Sequence, residues 1–406
     1  MTAHIVVVGA SIAGLRAAEQ LRKVGHDGPI TVLGKEPQGP YNRPPLSKEM
    51  LAAPENLTVE DIHARLAFPR KAATADVDIR LACAAVMADF ENRTVTTRDG
   101  ESIAFDGLVV ATGLRPRRIG AAGPTAGRHV LRTIEDCIGL RSEVGPGTRV
   151  VVVGAGFIGC EAAVTLSGIG ATVTVVEPTA RPMLRVVGEE LGLAVQRHHE
   201  QAGIEFRVGS SVVAFKGDQR VTGVVLDSGE VLAADVVVES VGSVPNVEWL
   251  AGTGALDLSD GVLCDNSLRV VGFRAAVAAG DVARFPNPRF GNIPRRVEHW
   301  TMSNDTAKQA ALTLHRELQG LEPDCADFVP MPSFWSDQGE LRIQSIGVPA
   351  IADRVVIESG DPANLRGGLL AIYHAGPQVC GSISINLPAS RQVEMRDAMQ
   401  MVPMVR

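Results

Sequence analysis

Two glycine clusters carry the clearest chemistry in this 406-residue chain. Gly154-Ala155-Gly156-Phe157-Ile158-Gly159 is a complete GxGxxG that follows four valines, Val150 to Val153. A glycine turn there lets the backbone approach a pyrophosphate, and the helix that follows points free N–H groups at the anion. Glu177 closes the next strand-like run, 18 residues past Gly159. A carboxylate at that place hydrogen-bonds ribose hydroxyls and repels a 2′-phosphate, which favours NADH over NADPH. Arg181 and Arg185 lie just beyond, as surface charges or as pyrophosphate contacts. Gly9-Ala10-Ser11-Ile12-Ala13-Gly14 keeps the first and third glycines and has Ser11 in the middle. Its acid is Glu36, 22 residues past Gly14, with Lys35 beside it.

The elements around both clusters fit that reading. Ile5–Val8, a helical run from Ile12 to Val24 and Ile30–Leu33 form one βαβ unit. Val150–Val153, Ile158–Ile169 and Val173–Val176 form a second, about 145 residues later. Two such units imply parallel sheets covered by helices. They also imply two dinucleotides, one FAD held permanently and one transient NAD(H), and so hydride transfer between them. Further strands are expected at Gly107–Ala111, Asp235–Glu239 and Ala275–Ala279, with hairpins turning at Asp99-Gly100 and Ser228-Gly229. A helix is expected from Asn304 to Leu318, then a linker from Gly320 to Pro323. The last 80 or so residues read as a smaller α/β domain with strands at Leu341–Ser345, Val355–Ile357 and Leu369–Tyr373 and a helix near Arg391–Met401.

Composition narrows the class. Hydrophobic residues make up 45% and charged residues 21%, as in a globular protein with large cores. The net charge of −7 argues against nonspecific DNA binding. No apolar run is long enough to span a bilayer, and Met1 to His4 runs straight into a strand, so a cytoplasmic protein is expected. The six cysteines are never closer than 23 residues, which leaves no CxxC pair and no zinc or iron–sulfur motif.

Several short motifs, taken in order, resemble a known family. They are Gly9 to Gly14, Pro40-Tyr41-Asn42-Arg43-Pro44-Pro45-Leu46-Ser47-Lys48, Ala111-Thr112-Gly113 and Leu131-Arg132-Thr133. To these add Gly154 to Gly159 with Glu161, Ala279-Gly280-Asp281-Val282, Val297-Glu298-His299-Trp300 and Phe334-Trp335-Ser336-Asp337-Gln338. Over essentially its whole length the chain resembles the FAD-dependent, NADH-using ferredoxin reductases of bacterial oxygenase systems, the putidaredoxin reductase and biphenyl dioxygenase reductase type. The resemblance implies a glutathione-reductase-like α/β fold with two Rossmann-type dinucleotide-binding domains and a C-terminal α/β domain. The FAD domain would be split over 1–109 and 237–320, the NAD domain would span 110–236, and the C-terminal domain 321–406.

The resemblance also implies roles. Arg43 and Lys48 would lie along the flavin, with Lys48 near the isoalloxazine and paired to Glu161. Ala111, Thr112 and Gly113 would form the crossing turn between domains, and Gly242 would join the nucleotide-binding positions. Arg132 would touch flavin or pyrophosphate, and Val86 would face the adenine through its backbone. Asp281 would bind the ribityl or phosphate region. Glu298 and His299 would lead to Trp300, whose N–H would meet the pyrimidine edge of the flavin, and Trp335 would stand close to the flavin. The family has an acid where this chain has Lys35, so the ribose contact would pass to Glu36 or the backbone. Gly291-Asn292-Ile293-Pro294 is a further departure.

Relatives of this fold that reduce disulfides or peroxides keep cysteine beside the flavin, and residues 41–48 hold none. Electrons must then leave the protein, singly, for a [2Fe–2S] ferredoxin that serves a P450 or a ring-hydroxylating dioxygenase. An acidic ferredoxin would dock at Arg284, Arg289, Arg295 and Arg296, on a monomer or weak dimer. Rubredoxin or a quinone as acceptor, or an NADH-sensing protein like apoptosis-inducing factor, are the alternatives.

Overall fold

The computed structural model describes residues 2–53, 57–254, 256–322, 328–388 and scattered positions from 390 to 399. The first glycine turn belongs to a five-stranded sheet in the order Ala276–Ala278, Gly107–Val110, Ile5–Val8, Ile30–Leu33, Asp78–Arg80. All its pairings are parallel, with Ile5 opposite both Ile30 and Gly107. Ile5, Val6 and Val7 are fully buried because both faces of the sheet are covered. One face takes the helices Ile12–Lys23 and Trp300–Leu318, which pack on each other. The second turn belongs to another five-stranded parallel sheet, in the order Glu205–Val208, Thr172–Glu177, Arg149–Val153, Val236–Glu239, Arg128–His129.

Both βαβ units stand where the sequence puts them. The boundary expected at 236/237 falls inside a strand of the second sheet. Val236–Glu239 pairs with Val150–Val153, so the second sheet keeps the chain through Glu239. Likewise Val110 pairs with Val8, so the first sheet keeps the chain one residue past the expected boundary at 109. The two sheets are joined by an antiparallel ribbon of Leu114–Pro116 and Ser243–Pro245. Thr112 and Asn246 lock its ends: the Thr112 hydroxyl donates to Asn246 O at 2.7 Å and the Asn246 amide to Thr112 O at 2.9 Å.

Other differences have local causes. The long helix starts at Trp300, four residues before the expected Asn304. Helices Val59–Leu66 and Ile134–Arg141, which the periodicity alone does not announce, begin at capping boxes built on Thr58 with Asp61 and Thr133 with Asp136. The expected helix near 391–401 lies largely outside the described residues, as do Pro323 and Cys325.

The C-terminal part is a five-stranded antiparallel sheet in the order Ser333–Gln338, Leu341–Gly347, Gln378–Ile385, Leu369–Ala375, Arg354–Gly360. Its inner face carries Leu341, Ile343, Ile383, Ile385 and Tyr373, all in one core with the helix Phe157–Gly168 and its sheet. Tyr41, Leu46, Leu51 and Ile62 of the first segment join that same core. Two polar contacts and one close approach pin the sheet down. The Tyr373 hydroxyl donates to Val187 O at 2.7 Å, His199 Nε2 meets Gln338 Oε1 at 2.8 Å, and a Cβ on Gly339 would meet Val164 at 2.8 Å.

Burial pushes the His199 imidazole down from 6.5 to about 4, so it is neutral in the fold. Between those two values the unfolded chain binds a proton that the folded chain refuses, so stability falls as pH falls through that window. The expected loss through this one group is about 2 kcal/mol from pH 7 to pH 5. Thermal melts of the native protein and of His199→Gln should show it: the variant should melt with a flatter pH dependence, and equal slopes would refute the assignment.

Candidate active site

Each glycine turn is shaped by contact rather than by sequence alone. At Gly9 (φ +121°) a Cβ would meet Ala111 O at 2.1 Å, and at Gly154 (φ +100°) it would meet Ser240 O at 2.3 Å. At Gly14 and Gly159 a Cβ would strike the carbonyl oxygens of Gly9 and Gly154 at 1.8 and 2.0 Å. These four glycines therefore let the helices seat on their strands. Gly156 differs. It has φ −73°, and nothing lies within 4 Å of where its Cβ would stand. Ser11, its counterpart, makes no side-chain cap to its helix. The middle position of each turn thus faces open space, where a pyrophosphate needs room.

That space is one cavity of about 630 Å³ between the two sheets and the C-terminal sheet. Three helices present their N-termini to it, at Ser11 with Ile12, at Gly156 with Phe157, and at His299 with Trp300. Their partial positive charge suits anionic groups. Of the expected residues, Ser11, Ala13, Arg43, Lys48, Ala111, Gly113, Arg132, Gly156, Phe157, Ile158, Glu161, Gly242, Asp281, Glu298, His299, Trp300 and Trp335 line it. Gly9, Gly14, Thr112, Gly154 and Gly159 build the turns behind that lining. Lys35 and Arg185 are exposed and stand outside it, as does Val86, whose side chain is exposed on its strand.

The two expected ribose acids are both engaged within the protein. Glu36 receives the Tyr41 hydroxyl at 2.6 Å and Arg43 Nη2 at 2.5 Å. Burial opposes its charge, but Arg43 and Tyr41 outweigh burial and hold it below the usual carboxylate range. Glu177 accepts from Ala155 N–H at 2.7 Å and from the Thr179 N–H and hydroxyl at 2.9 and 2.8 Å. It braces the second turn and is not among the residues lining the cavity. Arg181 reaches Glu189 at 3.1 Å rather than the cavity.

Across the cavity, Arg43 Nη1 donates to Arg132 O at 2.7 Å, and Arg132 Nη2 lies 3.8 Å from Asp281 Oδ2. Burial raises Asp281, with Arg132 opposing it. Arg43 Nε and His299 Nδ1 are buried at this cavity with no hydrogen-bond partner among the described residues. Burial also pushes His299 down to about 4, so a neutral imidazole is presented. Two unpartnered polar atoms and a cradle open at Gly156 and Ser11 fit a bound dinucleotide pair.

The cavity wall also holds a buried ion pair, Lys48–Glu161, Nζ to Oε2 at 2.6 Å, with 16% and 7% of the side chains exposed. The Ser47 hydroxyl donates to the same oxygen at 2.6 Å, and the Ser336 hydroxyl to Oε1 at 2.7 Å. Sequence reading pairs Lys48 with Glu161 but gives no role to Ser47, Ser336 or Gln338. Ser336 and Gln338 stand two residues apart on one face of the strand Ser333–Gln338, and that polar pair is the signal the sequence carries for them. Beside the pair stands an aromatic group: Trp300 and Trp335 meet edge to face at 5.9 Å, and Phe334 packs on Phe157 at 4.7 Å and His299 at 4.9 Å. Trp335 is 38% exposed, so this group reaches the surface. Among the described residues no cysteine lines the cavity, and Cys137, Cys160, Cys264 and Cys380 are free and buried elsewhere.

The docking arginines are less available than the sequence suggests. Arg284 pairs with Asp257 and keeps 15% of its side chain exposed. Arg296 pairs with Asp260 at 2.7 Å and Glu298 at 2.8 Å and keeps 11%. Arg295 donates to Phe290 O at 3.1 Å and has no carboxylate partner among the described residues.

Comparison with known proteins agrees with this geometry. Residues 3–307 match the pyridine nucleotide-disulphide oxidoreductase family, and residues 333–401 match the reductase C-terminal family. The ferredoxin–NAD(+) reductase component of the p-cumate 2,3-dioxygenase system of Pseudomonas putida is 34% identical over 97% of this chain and 92% of its own. Rubredoxin-NAD(+) reductase of the same species is 33% identical over 95% of this chain and 96% of its own. The crystal structure of the covalent putidaredoxin reductase–putidaredoxin complex superposes with a TM-score of 0.86 at 28% identity, covering 98% of this chain and 92% of that one. The chain belongs to the pyridine nucleotide-disulphide oxidoreductase family, whose members use FAD and a nicotinamide dinucleotide.

The open space at Gly156 separates binding from folding. Gly156→Ala should keep the native melting temperature yet weaken NAD⁺ binding by about tenfold or more. Gly159→Ala, whose Cβ has no room, should lower the melting temperature instead. Calorimetry and a nucleotide titration on both variants check this, and equal behaviour of the two would refute it.

Proposed function

We propose that this chain is an NADH-dependent ferredoxin reductase that takes a hydride from NADH onto FAD and passes electrons singly to a [2Fe–2S] ferredoxin serving a P450 or a ring-hydroxylating dioxygenase. The observation that carries the reading is one cavity that joins both glycine turns through the Lys48–Glu161 pair and, among the described residues, is lined by no thiol. Bound FAD would supply the exchange between a two-electron donor and a one-electron acceptor. The protein's part is binding and electrostatics. Ser11, Arg43, Arg132 and Asp281 would hold FAD, and Gly156, Glu177 and Gly242 would hold the nicotinamide dinucleotide. Lys48 keeps a positive charge on the cavity wall where negative charge would build up on reduction, and Glu161 keeps that lysine in place. The N–H groups at the start of the Trp300 helix would face the same charge. Without a cysteine at the cavity, electrons would leave by the aromatic edge at Trp335.

The domain reading, with its insertion ending after Glu239, and action in a reducing cytoplasm as a monomer or weak dimer belong to the same proposal. Docking of an acidic ferredoxin is assigned chiefly to Arg295, because Arg284 and Arg296 already face carboxylates.

Anaerobic NADH should bleach the purified yellow protein, and cytochrome c reduction should then depend on added [2Fe–2S] ferredoxin. A rate seen only with rubredoxin would reassign the acceptor. A stable charge-transfer complex that turns over with neither would favour a sensing role. Arg295→Gln should raise the apparent KM for ferredoxin and flatten its salt dependence while NADH–ferricyanide activity stays intact. Unchanged ferredoxin kinetics would refute the docking assignment.

A further inference from the structure

Behind the Lys48–Glu161 pair runs a row of buried polar groups that the proposed function leaves unused. Ser336, Gln338 and His199 are 0%, 1% and 2% exposed. His199 Nε2 meets Gln338 Oε1 at 2.8 Å, Gln338 Nε2 donates to Ser336 Oγ at 3.1 Å, and the Ser336 hydroxyl donates to Glu161 Oε1 at 2.7 Å. The directions are forced in sequence. Glu161 can only accept from Ser336, so the Ser336 oxygen is left to accept from the Gln338 amide nitrogen. That nitrogen also approaches Met183 Sδ at 3.5 Å, another acceptor, which fixes the carbonyl of Gln338 toward His199. His199 then donates, and its neutral state leaves it a single proton to place there. Every donor in the row points toward the carboxylate.

The row also crosses the fold. Glu161 is on the helix after the second glycine turn, Lys48 and Ser47 follow the first βαβ unit, and Ser336 and Gln338 are on the first strand of the C-terminal sheet. We propose that Ser336 is a positioning residue for hydride transfer, with Gln338 and His199 behind it: it fixes the Glu161 carboxylate, and so holds the Lys48 ammonium at the cavity wall. The C-terminal sheet thereby sets the electrostatics of a site to which the first two domains bring the nucleotides. This inference rests on the reading of the cavity as the FAD and NADH site. Without the Ser336 hydroxyl, Glu161 Oε1 loses its donor, and the wall behind Lys48 becomes more negative. Reduction of the flavin, which adds negative charge, then becomes less favourable.

The test compares Ser336→Ala, Gln338→Met and the double variant as purified flavoproteins. Three readouts are taken: the flavin midpoint potential by anaerobic spectroscopic titration, the rate of flavin reduction by NADH in stopped flow, and the melting temperature. Ser336→Ala should make the potential more negative and slow reduction by about tenfold, with the NADH dissociation constant unchanged. Gln338→Met should move both the same way by less, because Ser336 remains but is no longer oriented. The double variant should match Ser336→Ala, since the two act through one route. A lower melting temperature with an unaltered potential would overturn the proposal, as would additive effects in the double variant. If Ser336→Ala does not fold, Gln338→Met decides alone: a shifted potential supports the proposal and an unshifted one overturns it. None of these readouts involves ferredoxin, so an error about the acceptor leaves them valid, and a protein that fails to hold FAD would be colourless from the start.

Discussion

Glu161 is a carboxylate almost without solvent, and the arrangement of the whole molecule answers the demand it makes. A buried anion is costly unless each oxygen finds donors, and removing one member of a buried pair costs about 3–5 kcal/mol. Here the donors come from two other parts of the chain. Lys48 and Ser47 approach one oxygen from the first segment, and Ser336 approaches the other from the C-terminal sheet. Thr165, one turn further along the same helix, donates to Ser47 O at 2.9 Å and ties the junction again. The apolar core that surrounds these groups is also shared, with Tyr41 and Leu46, Val152 and Ala163, and Ile343 and Tyr373 in one cluster. Three folding units therefore meet at a point that is charged in the middle and apolar around it.

The same junction explains how a chain of net charge −7 handles nucleotides. Overall charge says little about a cavity. Three helix N-termini, Arg43, Arg132 and Lys48 face one space, and the acids lining it, Glu161, Glu239, Asp281 and Glu298, each stand beside a cation: Lys48, Arg128, Arg132 and Arg296. Cations held in place by paired carboxylates can stabilise a developing negative charge without moving. The family is named for disulfides, yet among the described residues no sulfur lines this cavity, whose open side is aromatic. The site's contents thus point to an external electron acceptor, where the fold alone allows several chemistries.

Some of this was legible before any coordinates. Valine runs followed by glycine clusters dictate strand, turn and helix locally, because burial on both faces and the need for positive φ leave few alternatives. Both turns, both parallel sheets and the cavity residues near them follow from such short-range rules. Lys48 with Glu161 came from resemblance to a family rather than from spacing, since 113 residues separate them. Ser336 lies 175 residues from Glu161, and no local pattern ties a serine on a strand to a carboxylate on a distant helix. Arg284 and Arg296 look like docking charges in the sequence because their acidic partners, Asp257 and Asp260, are 27 and 36 residues away and come near only when the strand Val262–Leu263 pairs with Ala283–Phe285, which in turn pairs with Arg295–Arg296.

By itself, then, the sequence determined the local devices: where the chain turns tightly, which helices start at a glycine turn, and that no cysteine stands among residues 41–48. Tertiary structure decided which charges are free and which are already neutralised, where the inserted sheet ends, and that a third sheet closes on the Lys48–Glu161 pair. The physical reason is range. Backbone conformation and amphipathic pattern are set by neighbours within a few residues. The energy of a charge depends on everything within several ångströms in space, and only the folded chain assembles that environment.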